Sequence, residues 1–557
     1  MKKIIINLFL TGLMFSCSSQ EIKNHNSTDT QIYINGAIYT VNESQPWAEA
    51  MIVEDGIIRY VGSTIEAQKH ITSSTSIIDL KKQMILPGLH DVHMHPMEVG
   101  ATYNHFVLSE EEINAENYIP KIKKASQNHT SETWLIGFGH SINTLLNANR
   151  SPLEIIDEAV SDRPVIIMEQ TSHSMWVNSK ALELANITTS TSNPQGGIIL
   201  KNQDGTLTGM LIDNAGDIVM QQAISSLKNA SQGEYEGMIE YVLPELAKNG
   251  LTSISDARCY WKRGQHKAWK KLADEGKLTA RFNIGLWAYP TEDDLTQLTD
   301  LKSFFSNDST SLLKFNQIKL YSDGITHNTT AALHSNYLVD YFGLTTNNGL
   351  NYFTQDRITK YIQELEPIGF DFHIHAIGNR GVTEALNAIE KGTSHKGRHR
   401  LTHIEMIDHN DLARFKSLNV TADAQVAGDF TQPEFWHDND ILIGSTLANN
   451  EIPLKSLYEA NARITLSSDW NVSDLNPFIG IQNAVTRTPQ NISLKEAIKA
   501  YTINSAYVMR QEDKVGSLEI GKEADFIIIN QNLFKIPPHH ISKTKVKATY
   551  LKGQKIY

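Results

Sequence analysis

Eight apolar stretches, most of them followed by an amphipathic one, fill residues 84–470 and limit the architectures open to this chain. They read "MILPGLHDVHMH", "LTSISDA", "ARFNIGLWAY", "FNQIKLYSDG", "FDFHIHAIG", "RHRLTHIE", "NVTADAQV" and "RITLSSDW". The helical partners are clearest after the fifth and sixth, in "RGVTEALNAIEKG" and "HNDLARFKSL". Eight β/α units in succession predict an α/β fold of the (β/α)8 TIM-barrel type. Between the first and second stretches lie residues 97–250, far more than one crossover helix needs. They are read as an insertion over the barrel mouth, able to shape or cover a pocket. A chain of 557 residues holds such a barrel and a second domain besides.

The second domain is sought at the two ends. "QIYINGAIYTV", "AEAMIVEDGIIRYVG" and "STSIIDL" near the start have the texture of short strands, with Asn-Gly and Asp-Gly turns between them. The same texture returns in "KVGSLEIGKEADFIIIN" and "KVKATYLKGQKIY". The expected organisation is therefore a small β-sandwich built from residues 31–83 and 511–557, around a barrel of residues 84–510.

The first twenty residues, "MKKIIINLFLTGLMFSCSSQ", have two lysines, a short apolar run and small Ser16 before Cys17. That is an export signal, too short for a comfortable membrane span, and its end resembles a bacterial lipoprotein signal. Residues 1–17 are read as the signal and residues 18–30 as a polar tether. The mature protein is expected to be exported and anchored to a membrane by lipid at Cys17. Cys259 is the one other cysteine, so no structural disulfide is expected. The net charge is −12 and Lys and Arg form no runs, which argues against nucleic acid as a partner.

The strand candidates carry chemistry at their C-terminal ends, the active face of a barrel. His93 and His95 are two apart and project together, a pair suited to a divalent metal such as zinc. His90, at odd spacing, faces the other way and is read as a packing residue. His373 and His375 close the fifth stretch, His403 the sixth and Asp469 the eighth. Lys319 sits between Ile318 and Leu320 on the fourth. A lysine there is costly unless paired or neutral. Two readings stay open: an ion pair with nearby Asp323, or a desolvated amine that reacts with carbon dioxide to give a metal-bridging carbamate.

These residues carry a resemblance. "PGLHDVHMHP" is similar to the first-strand signature of the amidohydrolase superfamily, and "GSLEIGKEADFIIIN" to its C-terminal stretch. "SHSMWVNSKAL", "IKLYSDG", "HIHAIGNRGV", "RHRLTHIEMI" and "SSDWNV" resemble the YtcJ-like branch, the amidohydrolase 3 family that includes N-substituted formamide deformylases. The resemblance covers about residues 30–557. It implies a (β/α)8 barrel with a terminal β-sandwich, one or two metals (zinc or another divalent ion), and a small-molecule substrate. A homodimer is a family-level expectation. The metal ligands implied are His93, His95, His375, His403 and Asp469, with Lys319 as a carbamylated bridge. His373, two residues before His375, is read as lying behind the ligands, with metal ligation as the alternative. His173, Asp323 and Trp470 are candidates for supporting or substrate-binding roles; for His173, with Trp176 and Asn178 of the same inserted motif, a place near the pocket and structural packing both stay open. Asn379 and Thr402 depart from the family pattern, which often has Asp and Glu there, without removing a ligand.

The reaction implied is hydrolysis of a C–N bond other than a peptide bond, by metal-activated hydroxide with Asp469 as general base and then acid. Ester or lactone hydrolysis and deamination use the same metal chemistry and stay open. A non-catalytic, surface-tethered binding protein would be favoured by lost ligands, and none of the expected positions is lost. A purely structural lipoprotein fits poorly with so many histidines on apolar strands.

Overall fold

A computed structural model describes residues 30–557 apart from 104, 131–132, 228–229, 344–345 and 429–438. The leader, its cysteine and most of the tether lie outside the described residues. At the centre stands an eight-stranded, all-parallel sheet: β1 (Leu89–Met94), β2 (Leu251–Cys259), β3 (Arg281–Trp287), β4 (Leu313–Tyr321), β5 (Asp371–Ala376), β6 (Arg400–His403), β7 (Thr421–Gln425) and β8 (Arg463–Ser467). Neighbours in sequence are neighbours in space, as βαβ crossovers require. The chain leaving β8 runs beside β1 and completes the round: the Asp469 amide donates to the His93 carbonyl (2.8 Å) and the His95 amide to the Trp470 carbonyl (2.7 Å). Each of the eight stretches predicted from sequence supplies one barrel strand.

Register stacks the polar residues of the interior. Lys319 stands beside His373, and His373 beside Arg400. Two residues further along, Tyr321, His375, Thr402, Asp423 and Thr465 follow one another across β4 to β8. Parallel neighbours in register share a face, so these side chains line adjoining levels of the barrel interior.

Met84–Pro87 is not part of the barrel. It pairs with Ala37–Tyr39 and Phe526–Ile529 in a six-stranded sheet made from both chain ends. The strand crosses from that sheet to β1 at Gly88, where a Cβ would lie 2.2 Å from Thr252 Oγ1. A four-stranded sheet containing Thr30–Ile34 and Ala50–Glu54 accompanies it. Residues of both sheets, among them Tyr33, Met51, Ile85 and Phe526, share one apolar core.

Residues 97–250 fold around a six-stranded mixed sheet running from Gly197–Lys201 to Phe106–Val107. Both its faces are covered. Val165 and Ile167 face one core, while Ile166 and Val177 face another, as the two-residue period of a strand dictates. Among the described residues no helix is long and apolar enough to cross a membrane.

Candidate active site

A cavity of about 560 Å³ takes in His93 and His95 from β1, His375 and His403 from β5 and β6, and Asp469 after β8. The Nε2 atoms of His93 and His95 lie 3.2 and 3.1 Å from Asp469 Oδ1. His403 stacks edge-on between His93 and His375, with ring centroids 4.9 and 4.5 Å away. His403 and Asp469 both adopt left-handed backbone angles, φ +76° and +55°. Such conformations are uncommon for residues other than glycine and cluster at functional sites. Here they sit where the chain turns out of a barrel strand.

The electrostatics suit a cation. Burial pulls His93, His375 and His403 well below the ordinary imidazole range, so they are neutral and can offer a lone pair. Burial alone would raise Asp469, but His93 and His95 outweigh it and hold the carboxyl well below its usual range. His93, His403 and Asp469 can point one ligand atom each at a common centre. Ligand distances of about 2.0 Å put tetrahedral donors about 3.3 Å apart, close to the separations measured here. His375 Nδ1 is buried with no hydrogen-bond partner, which fits the same use. The donor set therefore fits a divalent metal ion.

The groups behind the ligands set their orientation. His95 Nδ1 faces Glu98 Oε1 at 3.1 Å, and Arg258 holds that carboxylate with two further bonds, 3.1 and 3.0 Å. Burial opposes the charges, yet Arg258 and His95 keep Glu98 ionised. With Nδ1 engaged, Nε2 of His95 is left for the cavity. His93 Nδ1 has two neighbours, Thr402 Oγ1 (2.8 Å) and His373 Nε2 (2.9 Å). Thr402 donates in turn to Asp423 Oδ2 (2.8 Å). His93, His373 and Asp423 also form a group with metal-like spacing, but the Thr402 hydroxyl bonds both His93 and Asp423 and makes this a hydrogen-bond relay.

Lys319 is fully buried, and its Nζ has no hydrogen-bond partner. Burial drives its amine well below the ordinary lysine range. The ion pair with Asp323 is not formed. Asp323 accepts instead from the backbone amides of Ala332 (2.8 Å), Ile377 (3.0 Å) and Gly378 (2.8 Å), which fixes the turn after β5. Lys319 is not in the cavity wall, though its Nζ lies 5.2 Å from the ring of Tyr321, which stacks on His375 at 4.1 Å.

The other positions singled out from sequence divide. His173 reaches the cavity from the inserted sheet, with Nδ1 2.6 Å from Asp213 Oδ1. Trp176 is in the core of the inserted sheet and Asn178 caps the helix that follows it. Trp470 joins the site through its carbonyl, while its ring lies 5.8 Å from Tyr241 and outside the cavity wall. His90 is buried and bonds the Gly88 carbonyl. Asn379 bonds the His334 amide and Asp408, away from the histidines.

Sequence reasoning passed over Glu98, Arg258, Asp213, Asp423, Glu405 and Glu451. Two left a local trace. Glu98 opens a helix three residues after His95, and Asp423 interrupts the small residues of "TADAQ" at inward spacing. Glu405 and Glu451 both line the cavity, and burial with Glu405 nearby pushes Glu451 up to about 8.

Imidazoles and a carboxylate gathered at the C-terminal ends of parallel barrel strands define the class of barrel hydrolases with a metal-type centre. The chain belongs to the amidohydrolase family, whose model (Amidohydro_3) matches residues 76–557. It is 28% identical to the Bacillus subtilis protein YtcJ, over 94% of this chain and 99% of that one. It is 21% identical to the N-substituted formamide deformylase of Arthrobacter pascens, over 93% and 97%. A crystal structure described as an uncharacterized metal-dependent hydrolase from Pyrococcus furiosus superposes with a TM-score of 0.70 at 25% identity, covering 91% of this chain and all of that one.

Proposed function

We propose that the chain hydrolyses a C–N bond other than a peptide bond, of the amide or formamide type, in a small molecule. The observation that carries this is the convergence of His93 and His95 Nε2 on Asp469 Oδ1, at 3.2 and 3.1 Å, inside one cavity with His375 and His403. Similarity to a formamide deformylase over nearly the whole chain supports the choice of bond. His93, His95, His375, His403 and Asp469 would hold one or two divalent ions, most simply zinc, with Lys319 as a carbamate when two bind. Such an ion lowers the pKa of a water and polarises the carbonyl. Asp469, ionised and facing both first-strand histidines, takes the proton from the attacking water and returns it to the departing nitrogen. Glu98 and Thr402 keep the Nε2 atoms of His95 and His93 turned inward.

Elemental analysis of the purified protein tests the centre. One or two zinc per chain are expected, lost in the His93→Ala, His95→Ala double variant. Chelation is expected to abolish formate release from a panel of N-alkylformamides. A protein that gains no metal when zinc is supplied sinks the reading, and cleavage of esters but not amides replaces it with the ester or lactone alternative.

We also propose that the mature protein is exported and held at a membrane by lipid on Cys17, on the strength of the leader "MKKIIINLFLTGLMFSCSS". Mass spectrometry of the mature N-terminus is expected to find an acylated Cys17. An unmodified terminus at any other residue rules this out.

A further inference from the structure

The cavity holds more hydrogen-bond acceptors than the histidine cluster needs. Glu405 and Glu451 both line it. Glu405 Oε2 accepts from Thr326 Oγ1 (2.7 Å), and both Glu451 oxygens face Asn439 Nδ2 (3.0 and 3.1 Å). These donors are neutral, and among the described residues neither carboxylate makes an ion pair. Arg487 stands behind Glu451 and donates to its backbone carbonyl at 3.0 Å, outside the cavity wall. Arg258, which does line the cavity, is engaged by Glu98 through two bonds.

A third polar group is independent of the two carboxyls. His173 is only 7% exposed, and its Nδ1 is tied to Asp213 at 2.6 Å. That contact leaves Nε2 as the ring's unengaged nitrogen. Nε2 has no hydrogen-bond partner among the described residues, and the side chain borders the cavity. The ring is fixed there by stacking on Tyr321, with centroids 5.6 Å apart.

Two carboxyl groups whose hydrogen-bond donors among the described residues are neutral, beside a buried imidazole with Nε2 unengaged, complement a ligand rich in N–H groups and positive charge, and such a charge favours their ionised forms. We propose that the substrate carries, besides the bond to be cleaved, a cationic nitrogen (a protonated amine or an amidinium) received by Glu405 and Glu451, with His173 Nε2 as a further polar contact. This rests on the reading of the same cavity as the active site. It narrows the substrate class to amides that carry a cation, because among the described residues Glu405 and Glu451 add to Asp469 in this wall while its one arginine, Arg258, is already held by Glu98.

The test is calorimetric binding to the zinc-loaded protein, with three series of formamides from ethyl to hexyl chain length. One series ends in an ammonium, one in a methyl group of the same shape and one in a carboxylate. The best ammonium compound is expected to bind at least about tenfold more tightly than its methyl counterpart, with the carboxylate series weakest. In the E405Q/E451Q double variant the difference between ammonium and methyl compounds is expected to vanish, with zinc content and thermal unfolding confirming that the fold persists. Equal affinity within the wild-type pair, no binding by any ammonium compound, or a preference that survives the double substitution overturns the proposal. Formate release is read separately. Selective binding without hydrolysis upholds the cation subsite while counting against the amidase reading, and hydrolysis without selectivity does the reverse.

Discussion

Thr402 decides which nitrogen of His93 faces the cavity. Arg400 donates to His373 Nδ1 at 2.6 Å, so the His373 proton sits on Nε2 and points at His93 Nδ1. That contact makes His93 Nδ1 an acceptor, whereas a metal on His93 Nε2 requires the His93 proton on Nδ1, directed at an acceptor other than His373, whose Nε2–H can no longer bond there. Thr402 supplies that acceptor, because its own hydrogen is committed to Asp423 Oδ2 and Gln425 Nε2 donates to it as well. Asp423, one strand further on, thus completes the relay through Thr402. Thr402→Val is expected to lower zinc affinity about 10- to 100-fold in a chelator competition, and Thr402→Ser to stay within a few fold of wild type. Unchanged affinity in the valine variant would remove Thr402 from the account. The ligand types were legible in sequence, because His-x-His and a lysine on an apolar strand are local signals. The relay was not, since its members come from β1, β5, β6 and β7 and meet only across the barrel.

At the scale of elements, "MILPGLHDVHMH" reads as one strand and is two. Ile85 packs in the core of the terminal sheets, whereas Leu86 and Leu89 belong to the barrel core. The Gly88 amide bonds the Asp525 carbonyl at 2.9 Å and marks the change of sheet. Apolar residues announce burial, but not which of two sheets will bury them. Gly88 is required because the two chains approach too closely for any side chain beside Thr252. The inserted segment shows the same limit. Its strands were visible as "PVIIMEQ" and "GGIILKNQDGTLTGMLI", yet the sheet they form holds Asp213 and His173 together from positions forty residues apart.

Across the whole molecule, the terminal sheets are held to the underside of the barrel by Arg281. It begins β3 and bonds both oxygens of Asp525, at 2.9 and 3.1 Å, as well as Glu523. Asp525 is 1% exposed, and burial raises its carboxyl while Arg281 opposes the shift. Removing one member of a buried pair leaves the other uncompensated in a low dielectric. Arg281→Met is expected to lower unfolding stability by about 3–5 kcal/mol in urea, with much of the loss recovered when Asp525→Asn is added. An unchanged midpoint in the single variant would show that the contact does not hold the two parts together.

The sequence by itself determined the eight barrel strands, their order, and the residue types at their C-terminal ends. Each depends on a pattern within a few residues, either the alternation of a strand or a histidine spacing that puts two side chains on one face. Only the tertiary structure decided that Lys319 is left without Asp323, that Glu98 and Thr402 orient the first-strand histidines, and that Glu405, Glu451 and His173 share the cavity. Those are relations between segments up to hundreds of residues apart. They follow from barrel closure and from which surfaces pack together, and no local period encodes either.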